Sequence, residues 1–116
     1  MDGTWVVRQR QPYDRALQVM SADGAITIKD GIVVITKGSA CAITLAAPNA
    51  DDNGWLIIDA TTAHAHTVTF ASGLRGAGSG ADVGTFGGAV GDGIVVYAYN
   101  GAWYPVPGTN VNVTIA

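Results

Sequence analysis

His64 and His66 are the chain's two histidines, and a spacing of two places both on one face of an extended strand. Imidazole is a good ligand for transition metals, so such a pair can share one ion. One chain supplies too few ligands, whereas three chains around an axis would supply six. The residue pattern favours loop or interface histidines without metal over this axial site, and we expect no cofactor.

Two other segments carry partial ligand motifs. Asn49, Asp51 and Asn53 precede Gly54 as in a calcium loop, but Ala60 stands where the bidentate Glu belongs, which favours a polar turn. The glycine-rich stretch 73–93 lacks the Lys-Ser or Lys-Thr pair and the helix that a phosphate cradle needs. We therefore expect a surface loop with one short strand near Phe86.

Hydrolytic chemistry finds little support in the residue types. All nine acidic residues are Asp, so no Glu is available as a tuned general acid, and no G-x-S-x-G elbow occurs. Cys41 lies in an apolar run without a basic neighbour, which predicts a buried, inert thiol. We predict that the protein is not an enzyme.

Composition predicts one all-β domain. Hydrophobic residues make up 48% of the 116 positions and charged residues 13%, against about 25% charged in a typical globular chain. Val occurs 13 times, Thr 11 and Ile 9, whereas Leu occurs only four times and Glu is absent, a balance that favours strands. The net charge of −3 argues against nucleic acid as a partner. No apolar run reaches the roughly 18 residues of a membrane span, and we expect neither a membrane partner nor a secretion signal.

Period-two alternation and turn residues predict eight or nine short strands, among them 25–29, 32–35, 42–45, 55–58, 67–70, 94–99, 102–104 and 111–115. Asp30-Gly31 and Asn100-Gly101 each predict a two-residue hairpin. Pro105 and Pro107 confine the preceding strand to an edge. The pattern predicts an antiparallel β-sandwich, similar to a jelly roll, over residues 16–116.

Residues 1–15 differ from the rest in charge. They carry Arg8, Arg10 and Arg15 against two Asp, for a net charge of +1, whereas residues 16–116 carry −4. Trp5 adds an aromatic ring. We predict an N-terminal arm over 1–15, either a solvated first strand or an anchor on a partner.

Four aromatic residues cluster around Asn100-Gly101, namely Tyr97, Tyr99, Trp103 and Tyr104. Buried, they would form core or a subunit interface, which the pattern favours. Exposed, they would stack on sugars or on a partner protein. Trp103 and Tyr104 point to opposite faces of their strand, so we expect at least one to be partly exposed.

Residues 20–104 resemble a domain common in virion proteins of tailed bacteriophages. The resemblance is carried by residues 21–26, 32–37, 43–48 and 66–70, the glycine-rich stretch, and 97–104. It covers about three quarters of the chain. The pattern recurs in capsid decoration proteins, head fibres and tail fibres, and it has no invariant reactive residue.

The resemblance, the short chain and the arm together imply a capsid decoration (cement) protein. Such a protein would be made in the host cytoplasm, bind the major capsid protein on the outside of the head as a homotrimer, and stabilise the lattice. Trp5, Arg8, Arg10 and Arg15 would contact the capsid. The alternative is a head- or tail-fibre module that binds a host receptor or glycan through Tyr97, Tyr99, Trp103 and Tyr104.

Overall fold

The computed structural model describes residues 15–116 and confirms the all-β class. Ten strands occur in that range: β1 Ala16–Met20, β2 Gly24–Ile26, β3 Gly31–Ile35, β4 Ala42–Leu45, β5 Trp55–Ala60, β6 Thr67–Phe70, β7 Val83–Phe86, β8 Gly93–Tyr99, β9 Ala102–Pro105 and β10 Val113–Ile115. The described part of the chain has no helix long and apolar enough to cross a membrane. The predicted arm lies outside the described residues, except for Arg15.

Two five-stranded sheets form the sandwich. Sheet A has the order β1-β3-β5-β8-β9, and sheet B has the order β10-β7-β6-β4-β2. The first six strands alternate between the two sheets, so the chain winds as a coil in which β1, β3 and β5 are parallel and so are β2, β4 and β6. The remaining pairings are antiparallel.

The prediction of an antiparallel sandwich is therefore wrong for the first half of the chain. Parallel neighbours need a crossover connection, and here the crossover is a strand of the opposite sheet instead of a helix. Jelly rolls have antiparallel neighbours, so the parallel coil also departs from that topology.

The two predicted hairpins have different outcomes. Asn100 and Gly101 join β8 to β9 with φ of 51° and 81°, the positive pair that a type I′ turn requires. Asp30-Gly31 makes no hairpin, because β2 and β3 belong to different sheets. Gly31 has φ of 144°, and a Cβ there would collide with the carbonyl oxygen of Ala16. Glycine at this position therefore allows β3 to lie close to β1.

The core lies between the sheets and consists of the inward side chains of the alternating strands. Its fully buried members include Val33, Ile35, Leu56, Ile58 and Val96 from sheet A, and Ile43, Val68, Phe70 and Phe86 from sheet B. Trp103 on β9 is 1% exposed, and its indole Nε1 donates to the Ala46 carbonyl at 2.9 Å. This bond ties the edge of sheet A to the end of β4 in sheet B.

The first turn of the coil leaves β1 and β2 as edge strands, and Gln18 connects them. Its Nε2 donates to the Ala25 carbonyl at 3.0 Å, and its Oε1 accepts from the Thr27 amide at 2.8 Å. An inward polar side chain at a sheet edge discourages further strand addition, and here it is fully paired. Gln18 thus closes the open end of the sandwich.

Candidate docking face

The outer surface of sheet A is apolar over all five strands. We call it face A, formed by Leu17, Val19, Ile32, Val34, Trp55, Ile57, Val95, Tyr97, Tyr99 and Tyr104. Leu17 is 63% exposed, Val19 53% and Trp55 47%. Within the described strands of sheet A the single charged residue is Asp59, which alternates with Trp55 and Ile57 and lies towards one end of the same face. Face A is thus a continuous, largely apolar and partly exposed surface.

Strand register builds face A in transverse rows. Leu17 lies opposite Ile32, Ile32 opposite Ile57, and Ile57 opposite Val95, so one aliphatic row crosses four strands. Facing side chains on neighbouring strands are about 5 Å apart, close enough to exclude water between them. The row gives face A a smooth aliphatic centre.

A second row, at one end of face A, is aromatic. Trp55 lies opposite Tyr97, and Tyr97 opposite Tyr104. The rings of Tyr97 and Tyr104 are stacked, with centroids 5.5 Å apart and planes inclined by 19°. Tyr99 meets Tyr104 edge-on at 5.7 Å. The Trp55 and Tyr97 rings are 6.3 Å apart and tilted by 36°, so aromatic contacts link β5, β8 and β9. Aromatic pairs of this kind stabilise neighbouring strands beyond the area that they bury.

A shallow depression of about 360 Å³ lies where the aliphatic and aromatic rows meet. It is lined by Arg15, Ile32, Trp55, Ile57, Val95 and Thr109. Arg15 Nη1 is 2.9 Å from Asp30 Oδ1, which also accepts from the Trp55 amide at 3.0 Å. Arg15 is therefore held at the rim of face A, where the predicted arm joins β1. Trp5, Arg8 and Arg10, predicted as capsid contacts, lie outside the described residues.

The outer surface of sheet B has a different character. We call it face B, and Thr and Ala predominate among its members: Ala25, Ala42, Thr44, Thr67, Thr69, Val83, Thr85 and Thr114. Thr44 lies opposite Thr69, and Thr67 opposite Thr85, which lies opposite Thr114. No charged residue occurs within the strands of sheet B. Hydroxyl groups make face B a surface that water solvates well.

The aromatic residues predicted for surface recognition separate in the structure. Tyr97, Tyr99 and Tyr104 lie on face A, with Tyr99 61% exposed. Trp103 lies in the core, as the favoured interpretation predicted, so the alternative surface role is wrong for this residue. Tyr104 on the opposite side of β9 is partly exposed, which confirms that the two side chains point to different faces. Trp55 joins the cluster instead. Its position at the start of an apolar strand was visible in the sequence, but its pairing with Tyr97 was not.

The structure contradicts the axial metal site at His64 and His66. His66 is 0% exposed, its Nδ1 accepts from the Cys41 amide at 3.0 Å, and its Nε2 lies 3.2 Å from the Thr62 carbonyl. Both ring nitrogens are thus occupied inside the fold. Burial lowers the pKa of His66, which favours the neutral ring that these contacts require. Among residues 15–116 no three His, Cys, Asp or Glu side chains form a metal cluster.

Two other candidate groups also have internal roles. Asp52 Oδ2 accepts from the Asn49 amide at 2.7 Å and from Lys29 Nζ at 3.1 Å, so the partial calcium motif is a polar turn, as favoured. The Asn49 amide, followed by Lys29, lowers the pKa of Asp52. Cys41 is buried as predicted, and burial raises the pKa of its thiol.

Comparison with known proteins gives no match, either to a family model, to a curated protein or to a solved structure.

Proposed function

We propose that the protein is a structural component of a bacteriophage virion, a decoration protein that docks on the outside of the head as a homotrimer. The proposal rests on the continuous apolar surface of face A. An uncovered sheet face that combines aliphatic residues with Trp and Tyr resembles the buried centre of a protein interface, where charged residues are depleted. The sequence resemblance to virion domains supplies the identity of the partner, the major capsid protein.

The mechanism of such a protein is physical. A domain that binds only the expanded lattice stabilises that lattice by mass action. Three copies around a threefold site would engage together, so a weak contact through each face A becomes a tight one without new chemistry. The predicted arm over residues 1–15 would add a second contact through Trp5, Arg8 and Arg10.

A pair of matched variants tests the proposal on expanded heads that lack their decoration layer. Ile57→Asp places a charge at the centre of face A, and Thr69→Asp places the same charge on face B. Both positions are exposed, so both variants should fold. We expect Ile57→Asp to lose head binding and Thr69→Asp to retain it. Undiminished binding by a folded Ile57→Asp variant would overturn the proposal.

The alternative is a fibre module that binds a host glycan, and the exposure of Trp55 and Tyr99 favours it. Sugars stack on open ring faces, however, and Tyr97 and Tyr104 stack on each other. A glycan array and a host-cell pull-down separate the two functions. A decoration protein should bind heads and ignore cells, whereas binding to cells with no binding to heads would select the fibre module.

A further inference from the structure

Arg75 differs from the other basic residues of the described range, which are Arg15, Lys29 and Lys37. Each of those three lies within 4 Å of a carboxylate, at Asp30, Asp52 and Asp23 respectively. Within residues 15–116, Arg75 has no such carboxylate partner. Its guanidinium carbon lies 5.5 Å from the ring centroid of Tyr104 instead. Among residues 15–116, Arg75 is therefore the one basic side chain without a carboxylate within 4 Å, and it lies at the edge of face A.

The backbone at Arg75 adopts a conformation that suits glycine better. Its φ is 60°, and its neighbour Gly76 has φ of 69°. A side chain in this left-handed region is disfavoured relative to glycine. The arginine side chain does not favour this backbone conformation, so local conformation does not explain why arginine occupies the position.

The loop that carries Arg75 is held firmly against sheet A. The Arg75 amide donates to the Trp103 carbonyl at 2.7 Å, and the Gly78 amide donates to the Ser72 carbonyl at 3.0 Å. Trp103 is itself fixed in the core. The guanidinium therefore has a rigid base and lies at the end of the aromatic row.

We propose that Arg75 and Tyr104 form the anchor of face A and receive an acidic side chain of the capsid subunit. This inference rests on the proposed function and names the partner chemistry at the same surface. A guanidinium binds a carboxylate through two parallel hydrogen bonds while its plane stays on an aromatic ring. Arg, Tyr and Trp are also the residue types that dominate binding energy at protein interfaces.

Arg75→Asn tests the anchor, because Asn tolerates the left-handed backbone but carries no charge. Lys37→Asn is the matched control, since it removes the same charge at a site remote from the aromatic row. We expect Arg75→Asn to bind expanded heads about 30-fold more weakly, the effect of losing a strong interface residue. Raising the salt concentration should weaken wild type and Lys37→Asn more than Arg75→Asn.

The Ile57→Asp variant keeps the two proposals separable. If Arg75→Asn binds like wild type while Ile57→Asp does not, face A docks on the head without this anchor, and the inference fails alone. If Arg75→Asn and Ile57→Asp both bind heads like wild type, the inference and the proposed function both fail. Binding of the wild type to acidic glycans and not to heads would overturn the assignment of the carboxylate to a capsid subunit.

Arg75→Gly distinguishes recognition from a structural role. Glycine relieves the left-handed backbone, so we expect the melting temperature to stay unchanged or rise, while head binding falls as it does for Arg75→Asn. A fall in melting temperature with unchanged head binding would show that Arg75 only braces the loop, and would overturn the inference.

Discussion

Face A and face B are the two outer surfaces of one sandwich, and they share strand geometry but not chemistry. Both are five strands wide, and neither places a charge at its centre. Face A presents Leu, Val, Ile, Trp and Tyr, with Asp59 towards one end, whereas face B presents mainly Thr and Ala, with Val83. Because β-branched residues suit strands on either surface, propensity alone does not explain the difference. The larger apolar side chains are concentrated where we propose that a partner binds.

One small domain thus carries two outer sheet surfaces of different chemistry. Thr–Thr pairs across face B stabilise the sheet modestly and keep their hydroxyls in water. The rows of face A stabilise sheet A through contacts between neighbouring side chains. They also leave apolar surface exposed, and burial of that surface against a partner would release further free energy. The difference between the faces is therefore testable by exchanging their residues.

The largest effect is expected from an exchange of side-chain chemistry. The triple variant Leu17→Thr, Ile57→Thr and Val95→Thr should fold and lose at least about 100-fold in head affinity, because it removes several buried contacts at once. The reciprocal variant, Thr44→Val with Thr69→Val, should bind heads like wild type. Sedimentation of mixtures with expanded heads measures both. Equal losses in the two variants would remove the distinction between the faces.

A smaller effect is expected on stability. Tyr97 stacks on Tyr104 and contacts Trp55, so Tyr97→Ala should lower the free energy of unfolding by about 1–2 kcal/mol. Thr69→Ala on face B should lower it by about 0.5 kcal/mol or less. Urea titration of both variants checks the difference, and Tyr97→Phe, which keeps the ring, should stay close to wild type. A cost for Thr69→Ala as large as that of Tyr97→Ala would contradict the importance of the aromatic row.

The smallest effect is a pH dependence of the free energy of unfolding that arises from His66, the residue before β6 of sheet B. The pKa of His66 is lowered by burial, so the unfolded chain takes up the proton first. The free energy of unfolding should therefore be constant above about pH 7 and fall as the pH drops below about 6.5, the pKa of unfolded histidine. Urea titrations between pH 7.5 and 5.5 measure the slope.

Two histidine variants localise that dependence. His64→Gln should keep the slope, because it leaves the buried His66 ring and its contacts with Cys41 and Thr62 in place. His66→Gln should remove it, and should also destabilise the protein at pH 7.5 if the Cys41 amide loses its acceptor. A slope that persists in His66→Gln would assign the titration to another group.

Much of the fold was predictable because it depends on local signals. Alternation predicted most of the strands, and Asn100-Gly101 predicted its turn, since few residues tolerate two successive positive φ angles. Asp30-Gly31 has the same local signal but connects two sheets. The outcome there depended on which strands become neighbours, and this is decided by contacts between residues distant in the chain.

The candidate site shows the same division. The predicted hairpin brought Tyr97, Tyr99 and Tyr104 together, as the structure does. The predicted cluster also contained Trp103, because the sequence does not determine which side of β9 faces the core. Trp55 and Arg75 were missed, because their neighbours come from strands that are distant in sequence. The His-x-His spacing was equally ambiguous, since a two-residue repeat describes a buried face as well as a ligand pair.

By itself the sequence determined an all-β domain with short strands and alternating inward and outward residues, since these properties follow from composition and from the period of an extended chain. Only the tertiary structure decided which outward sets share a sheet. The parallel coil brings Leu17, Ile32 and Ile57 into one row, and the β8–β9 hairpin adds the tyrosines. Strand pairing is non-local, so the apolar face and the arginine at its edge exist only once the two sheets have assembled.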